Sequence, residues 1–504
     1  MDFKLNLKPS FFFFSFLIFI FLLSKPVLGS ASNPKCISSE RQALLTFKQS
    51  LTDPSARLSS WSGPDCCKWR GISCDPGTSH VIKIDLRNPN QTLRLYGGFK
   101  EGSLGGKINP SLTRLKFLSY LDLSSNDFNF MEIPEFIGSI VSLRYLNLSF
   151  SSFYGEVPAS LGNLSKLESL DLYAQTFIDE GPTSYNLRAS NLGWLSGLSS
   201  SLTYLNMGFV SLSGADETWL QDISRLPKLK ELHLFNCELR NLPLSLSSSA
   251  NLKLLEVLDL SRNSLRSPIP NWLFDLTGLR KLTLQWVELQ GSIPSEIKKL
   301  RLLETLDLSF NALSGEIPDV LGNLPQLKYL DLSHSSLEGQ IHRLLDALSK
   351  NKGDGLVYLG LNSNSLNGTL PAESLGELRN LQILDFSLNY FTGSIPSSVG
   401  NMASLKKLAL HFNSMEGKIP ESLGKLDRLE TLDLSSNKFS GAIPQSLAAI
   451  SSLHTLNLSY NKLEGRIPKN PKFKDPSIYI GNELLCGKPL PKKCSRKQQT
   501  VVVN

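Results

Sequence analysis

The side chains that could do chemistry are six histidines, seven cysteines and a recurring set of aspartates. His80, His233, His334, His342, His411 and His454 show no H-E-x-x-H run and no other metal-ligand spacing. Asp122, Asp259, Asp307 and Asp433 return with a regular period, so an apparent pair of catalytic carboxylates is a by-product of repetition. No phosphate-cradling glycine loop, no G-x-S-x-G elbow and no nucleophile–base pair stands out from that repetition. Cys237 stands alone in mid-chain and reads as a buried, unpaired thiol rather than a reactive one. These residues predict a non-enzymatic protein that needs no metal and no cofactor.

A 24-residue echo must position whatever chemistry remains. Leu381–Gly400, Leu405–Gly424, Leu429–Ala448 and Leu453–Pro468 share the template L-x-x-L-x-L-x-x-N-x-(L/F/M)-x-G-x-I-P. That period and that leucine and asparagine spacing predict a leucine-rich repeat solenoid, an α/β repeat fold that winds right-handed with a parallel sheet on its concave side. Fifteen coils open between Val81 and Leu453, most of them 24 or 25 residues apart. At roughly 4.8 Å between strands they make an arc of about 70 Å. Spacings of 37 after Val81, 35 after Leu167 and 29 after Leu327 imply insertions. A stacked interior cannot absorb them, so loops are expected at about 88–107, 178–200 and 342–355.

Within a coil the strand alternates, so two leucines point inward and their neighbours line the concave face. The asparagine that follows turns inward and satisfies backbone groups left unpaired by the turn. Asn126, Asn263, Asn311, Asn364, Asn389, Asn413, Asn437 and Asn461 fill that slot. Ser151, Gln175, Cys237 and Ser335 can partly replace it, whereas Val210 and Val287 cannot. The closing G-x-I-P holds an extended backbone before proline and favours a second short strand on the flank.

The ends read differently. Residues 1–31 have the basic start, apolar run (Phe11–Leu23) and small-residue exit of a secretory signal peptide. Residues 32–80 form an N-terminal cap, with a helix introduced by a capping box at Ser39-Glu40-Arg41-Gln42, and Trp61 and Trp69 covering the first coil. Repeats occupy 81–468, a C-terminal cap 469–494 and a basic, polar tail 495–504. Cys36, Cys66, Cys67 and Cys74 cluster before the repeats, and Cys486 and Cys494 after them. In a secreted chain this end-loaded pattern suggests disulfides that seal the open faces of the terminal coils. N-x-S/T sites at Asn90, Asn147, Asn163, Asn367 and Asn457 agree with the secretory route. The net charge of +7 sits in residues 466–504, with nine basic and two acidic side chains; the signal segment adds +2 and the repeat body is close to neutral. Nucleic acid is therefore not an expected partner. Only Val501–Val503 is apolar after Cys494, so no membrane span is expected once the signal is removed.

Cys36-x-x-Ser39-Glu40-Arg41-Gln42-Ala43-Leu44-Leu45-Thr46-Phe47-Lys48, Leu51-Thr52-Asp53-Pro54, Leu58-Ser59-Ser60-Trp61 and Asp65-Cys66-Cys67-Lys68-Trp69-Arg70-Gly71-Ile72-Ser73-Cys74 resemble the N-terminal cap of plant leucine-rich repeat receptor-like proteins. The G-x-I-P signature resembles the plant-specific repeat class. The runs Tyr120–Phe128, Ile133–Gly138 and Leu143–Ser149 resemble the subgroup that holds the receptors for ethylene-inducing xylanase and the apple scab resistance proteins. The resemblance implies an extracellular, kinase-less receptor of innate immunity that binds a microbial or endogenous protein or peptide and recruits a leucine-rich repeat co-receptor or adaptor kinase. It implies the pairs Cys36–Cys66, Cys67–Cys74 and Cys486–Cys494, and ligand contacts on loop-outs and the concave face. Family members continue into a membrane span that residues up to Asn504 do not supply. The expected location is therefore the apoplast or cell wall, or the plasma membrane for a fragment of a longer receptor. The alternative is a soluble decoy, or an inhibitor of microbial wall-degrading enzymes similar to polygalacturonase-inhibiting proteins.

Most concave positions carry a filler such as Asp-Leu-Ser. Phe209, His233, Phe235, Gln285, Trp286, Phe310, His334, Asn362, His411 and Phe412 break it. Grouped aromatics on one exposed face read as a protein-binding patch. The competing reading is that side chains at the strand's last position lean sideways onto the next coil. Glycans on Asn147 or Asn457 would obstruct the two ends of that face.

Overall fold

The computed structural model describes residues 36–89, 102–174, 187–245, 251–351, 355–470 and 472–494. The signal segment, the sequon at Asn90, the slot at Gln175 and the tail lie outside them. In each coil the triplet centred on an inner leucine is extended and bonded to the coils on either side. Fifteen such strands, from Val81–Asp85 to Thr455–Asn457, form one parallel sheet. Leu146, Leu170, Leu205 and Leu232 stand in register on neighbouring strands and are at most 1% exposed. One strand departs from the expected parallel order: Ile72–Cys74 of the cap pairs antiparallel with Val81–Asp85.

The asparagine slot ties coil to coil. Asn311 donates through Nδ2 to Leu308 O (2.8 Å) and Ser309 O (3.1 Å) of its own turn and to Leu284 O (2.8 Å) of the coil before. Its Oδ1 accepts from Val287 N (3.2 Å) and Leu289 N (2.9 Å) of that preceding coil. Asn263, Asn364, Asn389, Asn413, Asn437 and Asn461 repeat the arrangement. Each asparagine thus finishes the turn of the coil before it. Three of the slots that hold no amide meet the same need with main chain. Val287 O accepts from Leu265 N at 3.0 Å, Cys237 O from Leu212 N at 2.8 Å and Ser151 O from Phe128 N at 3.1 Å. The main-chain carbonyl turns inward and replaces the missing side-chain oxygen. At Cys237 the thiol itself lies 3.1 Å from Met207 O.

Two expectations need correction. After Leu327, residues 342–350 of the loop expected at 342–355 do not loop out, and 352–354 lie outside the described residues. His342–Lys350 is an α-helix on the convex side with Leu344, Leu345 and Leu348 buried, packed against Asp319–Asn323. The Leu-Leu-x-x-Leu spacing puts three apolar side chains on one helical face, so the coil takes up the insertion as helix. Most other coils carry a five-residue 3-10 turn there, as at Ser295–Lys299. Residues 187–200 are likewise ordinary coil, with Leu187–Arg188 paired to Gly155–Glu156 and a 3-10 turn at Gly193–Leu198. The rest of the loop expected at 178–200, residues 178–186, lies outside the described residues.

The second correction concerns the first helix, Ser38–Ser50. Its N-cap is Ile37, and no side chain caps it. Glu40 instead reaches forward, meeting His80 Nδ1 at 2.8 Å and accepting from Val81 N at 2.7 Å. The carboxylate of the supposed capping box therefore anchors the first strand of the sheet. Phe47 packs on Trp61, and Trp61 stacks on Trp69 with centroids 5.5 Å apart. Disulfides join Cys36–Cys66 and Cys67–Cys74 in this cap, and Cys486–Cys494 at the other end.

The flank carries the second strands foreseen from G-x-I-P. Ala312–Glu316, Ser336–Gln340 and Ser365–Gly368 pair in parallel, with Gly315 and Gly339 at φ +77° and +84°, values that favour glycine. At the C-terminal end Leu484–Cys486 extends this flank beside Lys462–Arg466. Asn482 copies the repeat asparagine, donating to Leu458 O and Tyr479 O at 3.0 Å and accepting from Leu463 N at 2.9 Å.

If the ladder carries the stacking, Asn437→Ala strands Leu410 O, Leu434 O and Ser435 O as well as Met415 N. The expected loss is about 2 kcal/mol or more in urea unfolding, with faster hydrogen exchange at the Met415 amide. Asn437→Ser should lose less, because Ser151 already serves in that slot through Leu123 O.

Candidate protein-binding surface

Three side chains per strand face the concave side, and the middle one is usually Asp or Asn. Its role is first structural. Asp307 Oδ1 accepts from Ser309 N at 3.0 Å and Ser309 Oγ at 2.6 Å, and Asp122, Asp433, Asn147 and Asn457 do the same for the serine two residues on. The repeated Asp-Leu-Ser is an Asx turn that ends the strand.

The next residue takes up a left-handed backbone. Phe150, Phe209, Trp286, Phe310, His334 and Phe412 have φ between +53° and +63°. So do Ser125, Arg262 and Ser436, which makes the conformation a property of the repeat. A non-glycine residue there costs about 1–2 kcal/mol, and it swings the side chain out beyond the strand. Those aromatics therefore project along the strand's outgoing edge, where they meet the residue at the same position of the next coil or, as with Tyr173 and Phe235, at the position before it.

The result is a continuous ribbon. Ring centroids lie 4.5 Å apart for Phe150–Tyr173, 5.2 Å for Tyr173–Phe209 and 5.3 Å for Phe209–Phe235. Arg262 bridges the next gap, its guanidinium carbon 5.5 Å from the Phe235 ring and 5.8 Å from that of Trp286. Trp286–Phe310 (5.1 Å) and Phe310–His334 (4.0 Å, nearly parallel) continue it. His334 Nε2 then lies 3.3 Å from Asn362 Nδ2. Sideways packing and exposure turn out to be compatible: Trp286 remains 53% exposed and Phe310 37%.

Seven of the ten candidate residues, Phe209, Phe235, Trp286, Phe310, His334, Asn362 and the adjoining Gln285, fall on or beside this ribbon. His233 stays on the strand against Tyr204. His411 and Phe412 stand apart, with Ser363 and Leu388 in the intervening turn positions and His411 Nδ1 3.7 Å from Asp433. Sequence reasoning missed Phe150, Tyr173 and Arg262. Phe150 shares its register with Phe209, so slot-by-slot alignment would have found it; Arg262 is recognisable only once its neighbours are known to be rings.

Burial dominates the electrostatics. It pushes the carboxyls of Asp171 and Asp307 above their ordinary range, reinforced at Asp307 by Asp331 and Asp259. It also raises the Tyr173 hydroxyl to about 12 and the Cys237 thiol well above its usual value, so that sulfur is not nucleophilic. Among the described residues the one cluster close enough to share a metal is Cys36, Cys66 and Cys67, and all three sulfurs are in disulfides. Asn163 and Asn367 are exposed, on the convex side and the flank, while Asn147 and Asn457 lie on the concave floor.

Residues 37–75 match the leucine rich repeat N-terminal domain, and 142–164, 254–276, 302–324, 380–402 and 404–463 match leucine rich repeat models. Receptor-like protein EIX1 of Solanum lycopersicum is 38% identical over 268 residues, and receptor-like protein EIX2 of the same plant is 50% identical over 122. The chain is a leucine-rich repeat protein of the plant receptor-like kind. The EIX1 match takes in 51% of this receptor-like chain and 24% of the relative; the EIX2 match takes in 24% and 12%. The chain thus spans about a quarter or less of the length of these two relatives. Among solved structures, a TDR receptor superposes with a TM-score of 0.63 at 28% identity, covering 78% of this chain and 66% of that one. The plant peptide hormone receptor RGFR1, solved with RGF2, gives 0.55 at 25% identity, covering 80% and 73%. Among the described residues no helix is long and apolar enough to cross a membrane.

The raised Asp307 carboxyl has a sign that can be checked. With the folded value above the unfolded one, ionisation disfavours the fold at neutral pH, and that penalty fades as pH falls through the folded value towards the ordinary carboxylate range. Asp307→Asn keeps the bond to Ser309, as Asn457 does to Ser459. It should raise the urea midpoint at pH 7 and give a smaller gain at pH 4.

Proposed function

We infer that this chain is an extracellular recognition protein that binds a polypeptide along the central concave face, and that it serves defence signalling together with a co-receptor or adaptor kinase. The ribbon from Phe150 to Asn362 is the observation that carries this reading. Aromatic side chains that stay exposed in a rigid row are the residues on which protein interfaces concentrate their energy. Their geometry favours polypeptide over polysaccharide. The faces of Phe310 and His334 already cover one another, so a sugar ring finds few free faces to stack on, whereas ring edges and intervening notches suit side chains. The structural likeness to RGFR1, solved with the peptide RGF2, supports a ligand of that class.

Coils 4 to 14 are the part open to a ligand, since glycans on Asn147 and Asn457 would crowd the ends of the face; Asn163 and Asn367 are placed for glycans that leave it clear. Cleavage after the signal segment would deliver the chain to the apoplast.

The test is capture of secreted fungal proteins by the tagged full chain, followed by titration of each recovered protein. Trp286→Ala combined with Phe310→Ala should weaken binding by about thirty-fold, the loss of one hot spot of roughly 2 kcal/mol. Trp286→Gly should give the same weakening with unaltered stability, because glycine relieves the left-handed backbone there. Equal affinity for all variants would remove the ribbon from the binding site.

A further inference from the structure

Along the concave floor the acidic column is not uniform. At its ends each carboxylate has a cation: Asp85 has Lys83 (3.3 Å) and Arg87 (2.6 Å), Asp385 has Lys407 (2.8 Å), and Asp433 faces His411 (3.7 Å). Between them, Asp171, Asp259, Asp307 and Asp331 make no ion pair among the described residues, and the last three stand close together. They lie on adjoining register positions, Asp259 beside Thr283, Thr283 beside Asp307, Asp307 beside Asp331, and Asp331 beside Gly360.

Three further observations mark this stretch. Asp331 Oδ2 accepts from Tyr329 (3.3 Å) and Tyr358 (3.0 Å), whose rings stack at 4.2 Å and wall one side. Gly360 lets Asp331 and Tyr358 close over it: a Cβ there would sit 2.9 Å from both Asp331 Oδ1 and the Tyr358 hydroxyl. Ser261, 1% exposed and on the same face two residues past Asp259, has an Oγ with no hydrogen-bond partner among the described residues; Thr283 Oγ1 is likewise buried and unpartnered. By contrast, Ser309 Oγ caps Asp307. The column from coil 7 to coil 10 therefore has spare acceptor capacity and negative charge directly below the most exposed part of the ribbon, Trp286 and Phe310. Lys281 and Arg262 flank it, but Arg262 is spread over two rings and neither forms an ion pair with the three carboxylates.

We propose that the Asp259–Asp307–Asp331 column receives a cationic side chain, lysine or arginine, of the bound polypeptide, next to an apolar residue that packs on Trp286 and Phe310. The proposal rests on the central face being the binding site and adds the chemistry of its ligand. A cation at this place replaces the missing partner of partly desolvated carboxylates, whose charge is otherwise held against the cost of burial. It also explains why cations are built in at both ends of the column and left out of its centre.

The experiment pans a random dodecapeptide phage library on the full chain and then on three variants. Asp307→Asn with Asp331→Asn removes charge while keeping the turns, since asparagine stands naturally in this column at Asn147, Asn206 and Asn457. Trp286→Ala removes the ribbon's centre. Asp385→Asn, whose carboxylate already has Lys407, is the control. The expected result is enrichment of lysine or arginine beside an apolar residue, with binding weakened about ten-fold or more by the double asparagine variant and by Trp286→Ala but unchanged by Asp385→Asn. Peptides without basic enrichment, or insensitive to the double variant while lost on Trp286→Ala, would overturn this proposal and leave the binding face standing. Peptides indifferent to Trp286→Ala, or a library yielding no binder, would count against both.

Discussion

One buried amide per coil, finishing the turn of the coil before it, is the constraint on which this molecule is built. Leucine burial supplies the larger share of stabilisation but no register: apolar contacts are non-directional. The asparagine supplies direction. By bonding carbonyls in two successive turns and N–H groups in the earlier one, it fixes how far one coil sits from the next and in what rotation. An unpaired N–H inside such a stack has no water to turn to, so a coil whose slot lacks an amide must offer that N–H another acceptor. Val287, Cys237 and Ser151 do so with their own main chain.

The ends obey the same requirement. The first coil has no predecessor, so cap groups stand in for one: Glu40 accepts from Val81 N, and Arg57 donates to Asn126 Oδ1 and to Leu86 O at 2.8 Å. The last coil has no successor, and Asn482 in the C-terminal cap takes that place. Disulfides at both ends hold these substitutes where a neighbouring repeat would have held them. The caps act as imitation coils as well as covers.

A fixed coil-to-coil rotation also creates the surface. Because each turn repeats the same left-handed residue, whatever side chain occupies it falls next to its counterpart one coil on or to the residue just before that counterpart. Serine there gives a bland edge, as at Ser125 and Ser436. Aromatic residues give a stacked, pre-ordered ribbon whose side-chain entropy is already lost on folding, which favours tight binding by lowering the ordering cost at the interface. The carboxylates beneath have a double use: one oxygen caps the strand end, and the other meets a cation at Asp385 or tyrosine hydroxyls at Asp331.

How much of this could be read from the chain differs by feature. The period, the inward leucines, the asparagine slots, the flank strands and the end clusters of cysteine are local patterns, repeated often enough that sequence alone determined them. Candidate aromatics were legible for the same reason: they interrupt a filler. Glu40 illustrates what was not. Ser39-Glu40-Arg41-Gln42 matches a local capping pattern, yet the carboxylate is drawn to His80 and Val81, forty residues on, because the first strand offers an unpaired N–H and the helix end faces solvent. His342–Lys350 is a similar case, since whether an insertion loops out or coils up depends on the apolar surface it meets. The ribbon itself, with Arg262 seated between Phe235 and Trp286, was decided only by tertiary structure. Sequence determines which side chain each turn carries; the rotation between coils decides which of them touch, and that rotation comes from hydrogen bonds joining residues more than twenty positions apart.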